Sequence, residues 1–203
     1  VFSGDPEAMW TLRTITGDPN PPSIDWNVEG SGQLTMNSSS NVDGAGNKYS
    51  VLQEAEWAVD LSGLTQATLS FREIGLDAVA ERFATDEAGR FVGFSGHVNA
   101  DGVALSQDGE NWFPLVQLAA EYGDLWNTYS VDLDAAAAAA GWSLDGLFRI
   151  RFQYFDDPAA LKYRSWDDVV ITTENLLPVS SVSLQGGGEG YESSPSRLAD
   201  GIV

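Results

Sequence analysis

The sequence predicts an all-β protein, an antiparallel β-sandwich with one or two short helical insertions. Three observations predict it. Apolar and polar side chains alternate in about ten short segments, the period of half-buried strands. No stretch sustains a helical period long enough for a parallel α/β arrangement. Between two alternating runs stands Asp108-Gly109, a dipeptide that favours a tight hairpin because both positions tolerate positive φ.

That hairpin is the organising stretch, DGVALSQDGENWFPLVQL from Asp101 to Leu118. Val103 and Leu105 alternate with Ala104 and Ser106, and Trp112, Phe113, Leu115, Val116 and Leu118 restart the apolar run. Asp101-Gly102 reads as a second turn, bringing a carboxylate to the rim of the sheet.

The other elements follow in order. Met9, Trp10 and Leu12 form a first apolar piece, closed by the Asp18-Pro19-Asn20-Pro21-Pro22 loop. Trp26-Asn27-Val28 and Gln33 to Met36 come next, then a polar Ser/Asn/Gly loop to Lys48. Tyr49, Val51 and Leu52 lead into the clean alternation of Trp57, Val59 and Leu61. In ATLSFREI, Leu69 and Phe71 oppose Ser70 and Arg72. Residues 75–92 are compatible with a short helix ended by Gly89, before Phe91, Val92 and Phe94 resume strand character. WNTYSVDL alternates from Trp126 to Leu133, and the six alanines Ala135 to Ala140 predict one or two helical turns. LFRIRFQYF is the clearest strand, setting Leu147, Arg149, Arg151, Gln153 and Phe155 against Phe148, Ile150, Phe152 and Tyr154. Trp166 to Thr172 is the last. Residues 1–177 therefore read as the sandwich, and 178–203, Ser/Gly-rich around Gln185-Gly186-Gly187-Gly188, as a linker or tail between modules of a larger chain.

Composition bounds the function. Among 203 residues, thirty acidic against ten basic side chains give a formal charge of -20. A nucleic-acid site needs a basic footprint, so that partner is excluded, as is docking on anionic lipid. No apolar run reaches the ~20 residues of a membrane span. There is no cysteine, which removes disulfides, thiolate zinc and cysteine nucleophiles. The Val1-Phe2 opening reads as the start of a mature or excised domain.

In order, VFSGDPEAMW, WAVDLSGLTQATLSF, DGVALSQDGENWFPL, WNTYSVDLDA, LFRIRFQYFDD and SWDDVVIT resemble bacterial jelly-roll modules of the MAM-like and concanavalin A-like kind. The resemblance spans about residues 1–175. It implies two packed antiparallel sheets in a non-catalytic carbohydrate-binding or adhesion module, extracellular or at the cell surface, often holding structural calcium. The MAM cysteines are missing and the insertion over 76–98 is long, so the resemblance leaves the ligand class open.

The residues add candidates. Calcium takes six to eight hard oxygen ligands from loop carboxylates and carbonyls, and Asp101, Asp156, Asp157, Asp167 and Asp168 stand at strand ends where loops can meet. The competing reading is that they are solvated turn residues. Sugar faces stack on indole rings, and there are seven tryptophans. Trp112 and Trp166 sit in core patterns, whereas Trp10, Trp26, Trp57, Trp126 and Trp142 flank turns and are the platform candidates. Tyr163 and Arg164 add a ring and a donor fork before the last strand. Catalysis has little support. His97 is the single histidine, beside Gly96 in a loop, and no nucleophile elbow or metalloprotease helix is present. Glu54 and Glu56 share a strand face, with Glu73 on another strand, but no acid pair can be nominated for glycosidase chemistry. The sequence thus points to a calcium-stabilised module binding a polysaccharide or glycan. The alternatives are an adhesion or structural module, and a small polysaccharide lyase or glycoside hydrolase.

Overall fold

The computed structural model describes residues 10–16, 24–27, 33–37, 49–77, 81–119, 121–122, 125–156 and 163–173; for 24–27, 76–77 and 121–122 it describes the backbone alone. The tail over 178–203 and Asp157 lie outside these residues, as does the side chain of Trp26.

The elements are β1 (Trp10–Thr16), β2 (Ile24–Asn27), β3 (Gln33–Asn37), β4 (Val51–Asp60), β5 (Thr68–Asp77), β6 (Phe94–Ser95), β7 (Gly102–Ser106), β8 (Asn111–Gln117), β9 (Glu121–Tyr122), β10 (Asn127–Asp132), α1 (Leu133–Ala140), β11 (Leu147–Asp156) and β12 (Tyr163–Thr172). They form two antiparallel sheets packed face to face. The first runs β1-β4-β11-β7-β8-β6; the second runs β10-β5-β12-β3-β2, with β9 beside β5. The all-β sandwich expected from the alternation is the fold observed.

Period-two alternation decides which side chains meet between the sheets. On β11, Phe148, Ile150, Phe152 and Tyr154 point inward and are fully buried. Phe152 is the hub of that core. It lies edge-on to Phe71 at 5.5 Å and to Trp166 at 6.1 Å, and is tilted against Trp10 at 5.7 Å. Truncating so enclosed a ring to alanine costs about 3–5 kcal/mol.

The central hairpin forms as expected. Gly109 adopts φ 79 in the turn between β7 and β8. Asp101-Gly102 is not a second exposed turn. Asp101 is buried and Gly102 opens β7. A Cβ at Gly102 would collide with Val116 O and the Phe83 ring, so only glycine admits this approach.

The helix over Leu133–Ala140 is present, with Asp132 accepting a bond from Ala135 N at 2.9 Å and Leu133 and Ala137 buried beneath it. The other helical expectation, within 75–92, is corrected. Residues 75–77 continue β5, and residues 81–92 contain no helix; they make a turn at Asp86–Gly89 and a single bridge between Thr85 and Phe91. Here the apolar residues are called on to cover a sheet. Phe83 is buried with Ala100, Ala104 and Trp112 in a second small core. Residues 81–101 therefore strap the outer face of the first sheet.

Candidate functional site

Under and beside this strap lies a polar cluster. Register pairs Arg13 with Glu54 across β1 and β4, and Glu56 with Arg151 across β4 and β11. Alternation sends all four to the outer face, together with Arg149. A strand's outer face is normally wet, yet Arg151, Glu54 and Gln153 are buried because the strap crosses above them. Arg151 donates from Nη1 to Gly96 O at 2.8 Å, and Gln153 donates to Val98 O and Ala100 O at 3.0 and 2.8 Å. Arg151 also grips Glu54 at 3.0 Å and Glu56 at 2.9 Å, and its guanidinium lies 3.6 Å from the Trp112 ring centroid. Burial lowers its pKa from the ordinary arginine value, a shift the two glutamates oppose.

His97 closes the cluster. Its Nδ1 lies 2.9 Å from Glu54 and its Nε2 lies 3.2 Å from Arg13 Nη1. A guanidinium only donates, so Nε2 accepts, and the ring proton sits on Nδ1 where it bonds Glu54. Both glutamates are therefore engaged by cations and donors, an arrangement that holds charge in place rather than offering a carboxylic acid for proton transfer.

A groove of about 640 Å³ opens on the other side of the strap segment, between residues 91–95, the start of β8 and the end of α1. Its rings are Phe91, Phe94, Trp112, Phe113 and Trp142. Trp112 is the buried floor, its opposite surroundings being Arg151; the other four are half-buried. One wall is polar: Ser95 Oγ donates to Asn111 Oδ1 at 2.8 Å, and Asn111 Nδ2 donates to Asp108 at 2.8 Å.

The proposed platform residues divide. Trp142 is in the groove, tilted against Phe148 at 6.4 Å. Trp126 is half-buried elsewhere, beneath the Arg72 guanidinium at 5.1 Å, and Tyr163 is half-buried at the start of β12. Two expectations are corrected by burial. Trp10 retains 7% of its surface because it stacks on Trp57 at 5.8 Å as part of the inter-sheet core, which half-buries Trp57 as well. Arg164 is fully buried, donating to Glu73 at 2.6 Å and to Ala119 O at 2.7 Å, so it offers no fork to a ligand. Trp112 and Trp166 are core residues, as their pattern implies.

The acidic candidates that are described are buried or held by partners within the protein. Asp101 accepts from Phe155 N at 2.7 Å and Glu81 N at 3.1 Å, with Arg164 4.0 Å away. Asp156 is buried at the end of β11, whereas Asp167 and Asp168 sit at a bulge in β12 and bind Arg72 at 3.2 and 2.6 Å. Among the described residues no three His, Cys, Asp or Glu side chains gather as a metal site. The sequence reading missed the Glu54–Arg151–Glu56 cluster, although two glutamates spaced by two on one strand and two arginines spaced by two on another were its available signal.

No family model matches the chain, and no curated protein matches it. Among solved structures, the K1 cleaved adhesin domain of Lys-gingipain (Kgp) from Porphyromonas gingivalis W83 is similar at 16% identity. That comparison covers 80% of this chain and 98% of the other, with a TM-score of 0.27. Similarity at this level assigns no function. Among the described residues no helix is long and apolar enough to cross a membrane.

Proposed function

We propose that the chain is a non-catalytic, extracellular carbohydrate-binding module that takes its ligand in the aromatic groove. The observation that carries this reading is the groove's composition. Half-buried rings of Phe91, Phe94, Phe113 and Trp142 face the same space as the Ser95–Asn111 wall, which Asp108 braces from outside the groove. A sugar ring needs both kinds of surface, an apolar face to lie on and polar groups to meet its hydroxyls. Its volume of about 640 Å³ falls in the range usual for small-ligand sites.

An adhesion module is the second reading. It is favoured by Val92, which lines the same groove and is 44% exposed, so that an apolar side chain of a protein partner would also be accommodated. Affinity electrophoresis through gels loaded with soluble polysaccharides separates the two. Retardation by at least one glycan, relieved by Trp142→Ala, supports the carbohydrate reading. Unretarded migration through every glycan gel leaves the groove to a protein partner.

A further inference from the structure

We propose that Arg13 and Arg149, flanking His97, form a cationic subsite beside the groove, which binds a single carboxylate carried on an otherwise neutral glycan. This rests on the carbohydrate reading of the groove and adds the substrate class.

The whole chain has ten Lys and Arg side chains against thirty acids, yet among the described residues Arg13, Arg149, Arg151 and the single histidine gather on one sheet face around Glu54 and Glu56. Three guanidiniums against two carboxylates leave a surplus of one positive charge. The glutamates take their short contacts from Arg151 and His97. Arg151 already meets both from beneath at 3.0 and 2.9 Å, and His97 adds a bond to Glu54. Arg13 and Arg149 stand 3.7–3.9 Å from the glutamate oxygens, too far for hydrogen bonds, and are 43% and 45% exposed. Among the described residues Arg13 donates to His97 alone, and Arg149 makes no hydrogen bond. Each retains donors in the fork geometry that fits a carboxylate.

Position joins this subsite to the groove. Ser95 lines the groove, and His97 follows two residues later on the same segment. Asn111 lines the groove, and Gly109, two residues earlier, packs so closely on Arg149 that a Cβ there would come within 2.5 Å of its Nη1. One chain lying in the groove can thus reach the cations at its end. The overall charge of -20 repels a dense polyanion across the Debye length of about 8 Å at physiological salt. A lone carboxylate meets the local surplus without bringing that repulsion.

The test uses the unmodified chain and matched glycan pairs that share a backbone: glucuronoxylan and linear xylan, lightly de-esterified and fully methyl-esterified galacturonan, sialyllactose and lactose. Titration calorimetry is expected to show the acidic member binding about tenfold tighter in at least one pair, as one charge-assisted contact gives. The Arg13→Gln/Arg149→Gln variant should bring the two affinities together, and the Arg13→Lys/Arg149→Lys variant should keep part of the preference. Equal binding of both members in every pair that binds overturns the subsite while leaving the groove reading intact. A preference that survives the double glutamine variant overturns it too. Binding of no glycan at all overturns the groove reading, and the subsite with it.

Discussion

His97 and Glu54 are 43 positions apart in the chain and 2.9 Å apart in space. Their contact pins the strap of residues 81–101 to the first sheet at its exposed margin, while Arg151 and Gln153 pin it from below. His97→Ala removes one donor from the buried Glu54 but leaves Arg151 in place, so the cost should be modest, about 1–2 kcal/mol. Amide exchange should quicken at residues 94–101 and stay unchanged in β5 and β12. Equal protection of the strap in both proteins would show that the backbone bonds from Arg151 and Gln153 suffice.

Arg164 and Glu73 form the pair whose loss should hurt most. Both are fully buried, with 2.6 Å between Arg164 Nη1 and Glu73 Oε1, and Gly75 packs against them closely enough that a Cβ would lie 2.9 Å from Glu73 Oε1. Removing either partner strands a charge out of water, a loss of about 3–5 kcal/mol. Arg164→Met should therefore shift the urea midpoint far down. The Glu73→Leu/Arg164→Met double variant should recover part of the loss, since it removes the stranded Glu73 charge and leaves Asp101 with its two backbone N–H donors. If the double variant is as unstable as the sum of the singles, packing rather than charge dominates the pair.

The sandwich was legible in the sequence because alternation in LFRIRFQYF, ATLSFREI and the Asp108-Gly109 hairpin is a local property of strands. What alternation could not show is that the polar face of LFRIRFQYF is also covered. Arg151 and Gln153 read as solvent-facing, and they are buried because residues 81–101, remote in sequence, cross above them. The same segment looked helical because Val79, Phe83 and the charges between them mimic a helix period, whereas Phe83 is used to cover Ala104 and Trp112. Arg164 failed as a ligand candidate for the same reason. A charged residue before a strand is usually wet, but here Glu73 from the neighbouring strand β5 receives it.

The hairpin turn carries its own acid sensitivity. Asp108 accepts bonds from the Asn111 side chain and from the backbone N–H groups of Asn111 and Glu110, which hold its carboxyl well below the usual range. A pKa depressed in the folded state contributes stability that is complete above the ordinary carboxylate value, about 3.9, and is lost as pH falls through the depressed folded value. The turn should accordingly stay intact at pH 5 and loosen only in strong acid. Following the Asp108 carboxyl carbon by NMR checks the direction. A midpoint at or above the ordinary value would contradict it.

Calcium should leave the melting temperature unchanged. An ion bound only by the folded state must raise stability. Three of the five acids expected to hold one are already engaged, Asp101 by two backbone N–H groups, and Asp167 and Asp168 by Arg72. Scanning calorimetry with millimolar calcium and with EDTA should give superimposable transitions. A rise with calcium would assign the ion to Asp156 or to acids beyond the described residues.

Gly141 offers a way to move Trp142 without touching the groove. It ends α1 at φ 79, donating to Ala138 O at 3.0 Å, and Trp142 N then donates to Ala137 O at 2.8 Å. Nothing lies within 4 Å of a Cβ built there, so Gly141→Ala meets no clash and acts through the left-handed conformation alone. That strain costs about 1 kcal/mol. Relieving it means unwinding the last turn, which carries the Trp142 ring away from Phe148 and out of line with Phe113. Gly141→Ala should thus weaken glycan retardation while lowering stability only slightly, and Gly141→Asn, which tolerates the left-handed region, should restore both. Were Gly141→Ala to bind as the unmodified chain does, the position of Trp142 would not set affinity, and the ligand would have to rest on Phe91 and Phe94 instead.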